Sequence, residues 1–348
     1  MAFGENATAA DVSVAPSSSA ILYTGRWDQS TPSAPWAQAQ GSSIALRFQA
    51  SEIVATLNTA TDEYFRIIIN DASGSSEKVL IPSGQPTTLA SGLGPGVHKV
   101  EIIKETDVAR TTFLGFTLDA GALISNPPER PERRIVFYGD SNLAGYSLES
   151  ERNECCWNLT GSHYTYAGIT ARMFDAEYHN ISKSSARISG LNARFDRIDW
   201  ESETPRWNFN DDMADVVVVN IGANDYWISE STNKEKYHAL LDDLRDAHPS
   251  AHIMLFNAYG WTATEPAGYI HEVIEQRGDL NMSAAVFPWV FEQYHGSETE
   301  HAGMASVLAE HLSEITGWVA NDQDVMSGFG RDGDVANGSF EHSAPFGG

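Results

Sequence analysis

Four short stretches carry residues whose types suit acyl transfer. Gly139-Asp140-Ser141-Asn142 follows the strand-forming run Ile135 to Tyr138. A strand therefore stops abruptly and leaves a hydroxyl at its carboxyl edge, where open α/β sheets place their chemistry. Ser141 could act there as a nucleophile, with its own amide stabilising an oxyanion; the competing reading is a turn in which Asp140 or Ser141 caps a helix. Asn180-Ile181-Ser182-Lys183-Ser184-Ser185 ends a second strand in small polar residues. The Ser185 amide is either a further oxyanion donor or part of a strand-to-helix loop. Gly222-Ala223-Asn224-Asp225 ends a third strand, where Asn224 could aim its amide nitrogen at developing negative charge or occupy an ordinary turn position. In Glu292-Gln293-Tyr294-His295, a carboxylate three residues before a histidine can reach the far ring nitrogen while the near one takes a serine proton. His301 reads instead as a capping or packing residue at the start of the last helix. A serine, an amide donor, a carboxylate and a histidine together could carry acyl transfer through a covalent intermediate, and these residue types imply no metal or cofactor.

The elements that must position these groups change character along the chain. From about Ala20 to Leu118, short β-rich runs such as Ile44–Phe48, Ile53–Leu57, Tyr64–Ile69, Lys78–Ile81 and Lys99–Ile103 are separated by turn residues with no helical period between them. That spacing predicts an antiparallel β-sandwich. Asn126-Pro127-Pro128-Glu129-Arg130-Pro131-Glu132-Arg133 suits neither a helix nor a central strand. Beyond it, strands alternate with helices: the apolar run Val216 to Ile221 reads as a strand covered on both faces. Tyr166–Phe174, Lys236–Ala247, Pro266–Gln276 and Glu300–Trp318 read as helices, predicting a parallel sheet between helical layers. The expected division is a sandwich over residues 1–126, a linker over 127–133, an α/β/α domain over 134–320 and a tail over 321–348.

Composition sets the outer bounds. A chain of 348 residues with 42% hydrophobic and 10% aromatic content fits two globular domains. Forty-seven acidic against 22 basic residues, a net charge of −25, argue against nucleic acid or an anionic membrane as partner. No apolar run approaches the roughly 20 residues needed to span a bilayer. Cys155 and Cys156 are adjacent and are the only cysteines, which favours free thiols over a strained disulfide or a structural zinc site. Trp227, Trp261, Trp289 and Tyr226 lie near strand ends, where a ring could stack on a sugar; as single residues they read as core.

The four blocks from about Arg134 to Trp318 resemble those of the SGNH, or GDSL-like, hydrolases. Ser141 matches the nucleophile block, Asn224 the asparagine block and His295 the histidine block. Ser185 stands where that family has glycine, and Glu292 where it has aspartate, which leaves a Ser–His dyad aided by a backbone carbonyl as the fallback. Tyr23-Thr24-Gly25-Arg26-Trp27-Asp28, Leu93-Gly94-Pro95-Gly96-Val97-His98-Lys99-Val100 and Phe113-Leu114-Gly115-Phe116 narrow the likeness to carbohydrate esterase family two. His295-Gly296 replaces that family's His-Pro. The resemblance implies a jelly-roll β-sandwich ahead of the α/β/α domain, and a secreted enzyme that removes acetyl groups from polysaccharides. Ala336-Asn337-Gly338-Ser339-Phe340-Glu341 resembles the opening strand of a carbohydrate-binding module; the competing reading is a disordered tail. A lipase or thioesterase built on the same blocks, or a binding protein with a relic serine, are the other classes. Oligomeric state is left open.

Overall fold

The computed structural model describes residues 10–61, 63–71, 76–150, 157–211, 213–258, 266–287, 291 and 295–321. Two antiparallel sheets form the amino-terminal half. The first runs β1 (Val12–Val14), β10 (Thr111–Leu118), β5 (Glu52–Thr59), β8 (Pro86–Ser91), with β3 (Trp36–Ala37) beside β10. The second runs β11 (Leu123–Ile124), β4 (Ser43–Gln49), β9 (His98–Lys104), β6 (Glu63–Ile69), β7 (Glu77–Ile81), with β2 (Ile21–Thr24) beside β4. The facing side chains meet in one core: Ile53, Ala55 and Leu57 of β5 alternate inward and pack with Leu46, Phe48, Val100, Phe113 and Phe116, all fully or nearly fully buried. This is the period-two burial of a sandwich.

The second half is a five-stranded parallel sheet in the order β13 (Ala176–Ser182), β12 (Arg133–Gly139), β14 (Val216–Asn220), β15 (His252–Ala258), β16 (Met282–Phe287). Val216 to Val219 are fully buried, because alternate valines face opposite helical layers. Val216 and Val218 pack with α2 (Tyr166–Met173) and α6 (Glu298–Thr316). Val217 and Val219 pack with α3 (Ile188–Asn192), α4 (Glu230–Ala247) and α5 (Pro266–Arg277). Burying each valine contributes about 2 kcal/mol. Helix ends differ by a few residues from the sequence reading, for capping reasons. Ser229 accepts from the Thr232 amide and starts α4 at Glu230. A reciprocal Ser297–Glu300 capping box starts α6, and Gly317, in the left-handed region at φ 72°, ends it.

Buried polar groups join the halves. The Arg26 guanidinium donates to the carbonyls of Phe195 (2.6 Å) and Arg197 (2.9 Å) and to the Tyr138 hydroxyl (2.9 Å). Glu105, fully buried, accepts from the amides of Ser162 and His163 and pairs with Arg66, which also reaches Glu149 at 3.0 Å. Burial alone would raise the Glu105 carboxyl, but Arg66, Lys78 and the His163 amide hold it below the usual carboxylate range.

Candidate active site

Ser141 opens α1 (Ser141–Ala144) directly after β12. Gly139 is required at the bend, because a Cβ there would lie 2.6 Å from the Asn220 carbonyl oxygen of the neighbouring strand. The capping reading of the motif holds for Asp140. Asp140 caps the helix, its Oδ1 accepting from the Asn142 amide at 3.0 Å, while the Ser141 Oγ lies 3.0 Å from His295 Nε2. Burial, with Asp225 nearby, pushes the Asp140 carboxyl up to about 7, against the pull of the Asn142 amide. Helix α1 is moored by two asparagines whose role the sequence did not reveal. Asn142 Nδ2 donates to Asn220 Oδ1 (3.2 Å), and Asn180 Nδ2 donates to the Leu143 carbonyl (3.1 Å).

His295 arrives on the loop before α6 and is half-buried beside the Tyr146 ring, centroids 5.0 Å apart. Burial lowers its imidazole from 6.5 to about 4, which keeps the ring neutral and able to accept a proton at neutral pH. Glu292 lies outside the described residues, as do Cys155, Cys156, Trp261, Trp289 and the tail beyond Asn321. His301 is the packing residue expected. It is buried, its Nδ1 accepts from the Tyr166 amide (3.1 Å), and it stacks between Tyr166 and Phe291. It also accounts for glycine at 296, where a Cβ would lie 2.9 Å from the Phe291 ring and 3.0 Å from that of His301.

Ser185 and Asn224 meet on the same edge. Asn224 Nδ2 donates to the Ala186 carbonyl at 2.9 Å, which fixes the carboxamide and leaves its second N–H proton for a ligand. Ser185 adopts φ 67°, the left-handed region that glycine occupies freely. No acceptor is paired with its N–H among the described residues. Asp225, next to Asn224, is buried and accepts from the Ile188 amide (2.9 Å) and from Lys236 Nζ (3.3 Å), pinning the start of α3 just after this loop. A hydroxyl, an imidazole and two kinds of N–H donor therefore share one sheet edge, the set that acyl transfer needs.

Trp227 and Tyr226 differ from the sequence reading: they are 76% and 40% exposed rather than core, and they pack against each other with ring centroids 4.7 Å apart. A cavity of about 630 Å³ between the two halves lies away from this edge, lined among others by Lys99, Glu101, Arg172 and Glu177, the last near the amino end of β13. Among the described residues, no group of three His, Cys, Asp or Glu side chains could hold a metal ion. None of the described helices is long and apolar enough to cross a membrane.

Comparison with known proteins matches two family models in turn along the chain. Residues 23–128 match the Carbohydrate esterase 2 N-terminal family, and residues 137–321 the GDSL-like Lipase/Acylhydrolase family. Cellulase/esterase CelE of Acetivibrio thermocellus is 28% identical over 328 residues, covering 86% of this chain and 40% of that protein. The chain thus spans well under half the length of that relative. A family two carbohydrate esterase from Clostridium thermocellum, solved in complex with cellohexaose, superposes with a TM-score of 0.79 at 27% identity, covering 86% of this chain and 100% of that one. One from Cellvibrio japonicus gives 0.80 at 21% identity, covering 89% and 99%, and speaks to fold alone. The chain belongs to the GDSL-like lipase/acylhydrolase family, in the form that carries a carbohydrate esterase 2 amino-terminal domain.

Proposed function

We propose that the protein is a serine esterase that removes acetyl groups from acetylated plant or algal polysaccharides or their oligosaccharides, acting outside the cell. The observation that carries this reading is the 3.0 Å approach of His295 Nε2 to Ser141 Oγ at the carboxyl edge of the parallel sheet. In the proposed reaction the Ser141 Oγ attacks the acetyl carbonyl carbon and its proton passes to His295 Nε2. The carbonyl oxygen takes the negative charge, held by the amides of Ser141 and Ser185 and by the Asn224 carboxamide. As the intermediate collapses, the C–O bond to the sugar breaks and His295 returns the proton to the departing hydroxyl. Water then repeats the sequence on the acetyl-serine and releases acetate. Glu292 is proposed to support the imidazolium from three residues upstream; a Ser–His dyad is the form the reaction takes without it.

The glycan part of the reading draws on the exposed Trp227–Tyr226 pair two and three residues past Asn224, since an aromatic face at a site's rim suits a sugar ring. It also draws on the relative solved with cellohexaose. Acetate release from a panel of acetylated glycans, run beside the Ser141→Ala protein, tests the proposal. Release from at least one glycan, abolished by the substitution, is expected. Preference for long-chain esters over every acetylated sugar would point to a lipase-like hydrolase instead, and unchanged release by Ser141→Ala would end the nucleophile assignment.

A further inference from the structure

The backbone at Ser185 is held in a left-handed conformation at φ 67°, which an L residue adopts only at an energetic cost and which its surroundings must therefore impose. The segment is tied on both sides. Downstream, the Ala186 carbonyl accepts from Asn224 Nδ2 at 2.9 Å and the Ala186 amide donates to the Lys183 carbonyl at 3.0 Å. Upstream, the tie comes from the β-sandwich. Asp107, three residues past the end of β9 and only 9% exposed, accepts from the Ser184 amide through Oδ2 at 3.3 Å, and its carbonyl accepts from Lys183 Nζ at 2.8 Å. Lys183 Nζ also lies 3.5 Å from the Asp107 carboxylate. A second loop of the sandwich reinforces the strand beneath, where Gln40 Nε2 donates to Asn180 Oδ1 at 3.1 Å and contacts Ser182 Oγ. Asn180 in turn holds the Leu143 carbonyl of the nucleophile helix.

From this geometry we infer that Asp107 of the β-sandwich is a positioning residue that aims the Ser185 N–H at the oxyanion, standing in for the freedom a glycine would bring. The sandwich is thereby part of the catalytic unit rather than only a neighbour of it. The inference rests on the reading of Ser141 as nucleophile and not on the identity of the sugar. It is therefore tested on 4-nitrophenyl acetate, with Asp107→Ala, Ser185→Gly and the double variant, each melted alongside the wild type.

Misaiming one donor should lower kcat roughly 10- to 100-fold, with KM within about twofold because the donor acts mainly on the transition state. In the Ser185→Gly background the same Asp107→Ala change should cost far less, since glycine takes the left-handed conformation unaided. A purely structural role for Asp107 would not give that background dependence. If Asp107→Ala loses its cooperative melt, Lys183→Met, which removes only the lysine tie, carries the same cycle with the same expectation. An unchanged kcat, or an equal loss with serine and with glycine at 185, overturns the inference alone. A wild-type protein with no Ser141-dependent hydrolysis of any acetate overturns the esterase reading and this inference together.

Discussion

Lowering the pH should spare this enzyme further into acid than an ordinary histidine would permit. His295 accepts a proton only when its ring is neutral, so kcat/KM falls as pH drops through the imidazole's value in the free protein. Burial depresses that value from 6.5 to about 4, and the sign follows: a depressed base stays competent to lower pH. At pH 5.5 an imidazole titrating at about 4 is about 97% neutral, whereas one at the ordinary 6.5 is about 9% neutral. The two cases differ about tenfold in kcat/KM at that pH. The assay is acetate release from a soluble acetylated oligosaccharide between pH 3.5 and 8 at substrate well below KM. Each sample is returned to pH 7 afterwards to separate titration from irreversible unfolding. A plateau that persists to about pH 5 is expected. An inflection at 6.5 or above would refute the reasoning from burial.

Other outcomes follow from the same geometry. Asn224→Ala removes one of the proposed oxyanion donors and should lower kcat about 100- to 1,000-fold with KM little changed, as steady-state kinetics on an acetylated sugar would read. Trp227→Ala should raise KM for oligosaccharide acetates by roughly fivefold, equivalent to about 1 kcal/mol of ring stacking, and leave 4-nitrophenyl acetate untouched; an equal effect on both would deny it a sugar contact. His301, buried and neutral, titrates at about 3 against 6.5 in the unfolded chain. The unfolded state therefore binds more protons between those values, stability is full above about 6.5, and His301 alone forfeits about 2 kcal/mol by pH 5. His163 and His248 are depressed in the same direction, so the melting temperature should fall steadily from pH 7 to pH 5. Glu105→Gln leaves Arg66 without its closest carboxylate in a buried interface and should cost about 3 kcal/mol, visible as a lower melting temperature at pH 7.

The parallel sheet and its edge were legible because their signals are local. Val216 to Val219 form an unbroken apolar run, and Gly139 with Ser141 marks an abrupt strand end. The sandwich was legible as a class, but not strand by strand. β10 contains a register shift between Phe113 and Gly115, and β8 pairs Pro86 and a run of threonines with β5, so neither shows clean alternation. What escaped the sequence is contact between residues far apart in the chain. Asp107 meets Ser184 across 77 positions and Gln40 meets Asn180 across 140, and no spacing rule encodes such pairs. Trp227 escaped for a different reason. A tryptophan after a strand is buried more often than not, whereas Trp227 sits in a turn and is 76% exposed.

The most direct test of the central claim is covalent capture of the nucleophile. The protein is treated with a phosphonate ester, which serine esterases attack as they attack a carboxylic ester, and the site and extent of labelling are read by intact and peptide mass spectrometry. One adduct per chain is expected, on the peptide holding Ser141, absent from Ser141→Ala and strongly slowed in His295→Ala. Labelling at another residue, or labelling of Ser141 at the same rate without His295, would contradict a hydroxyl activated by that imidazole.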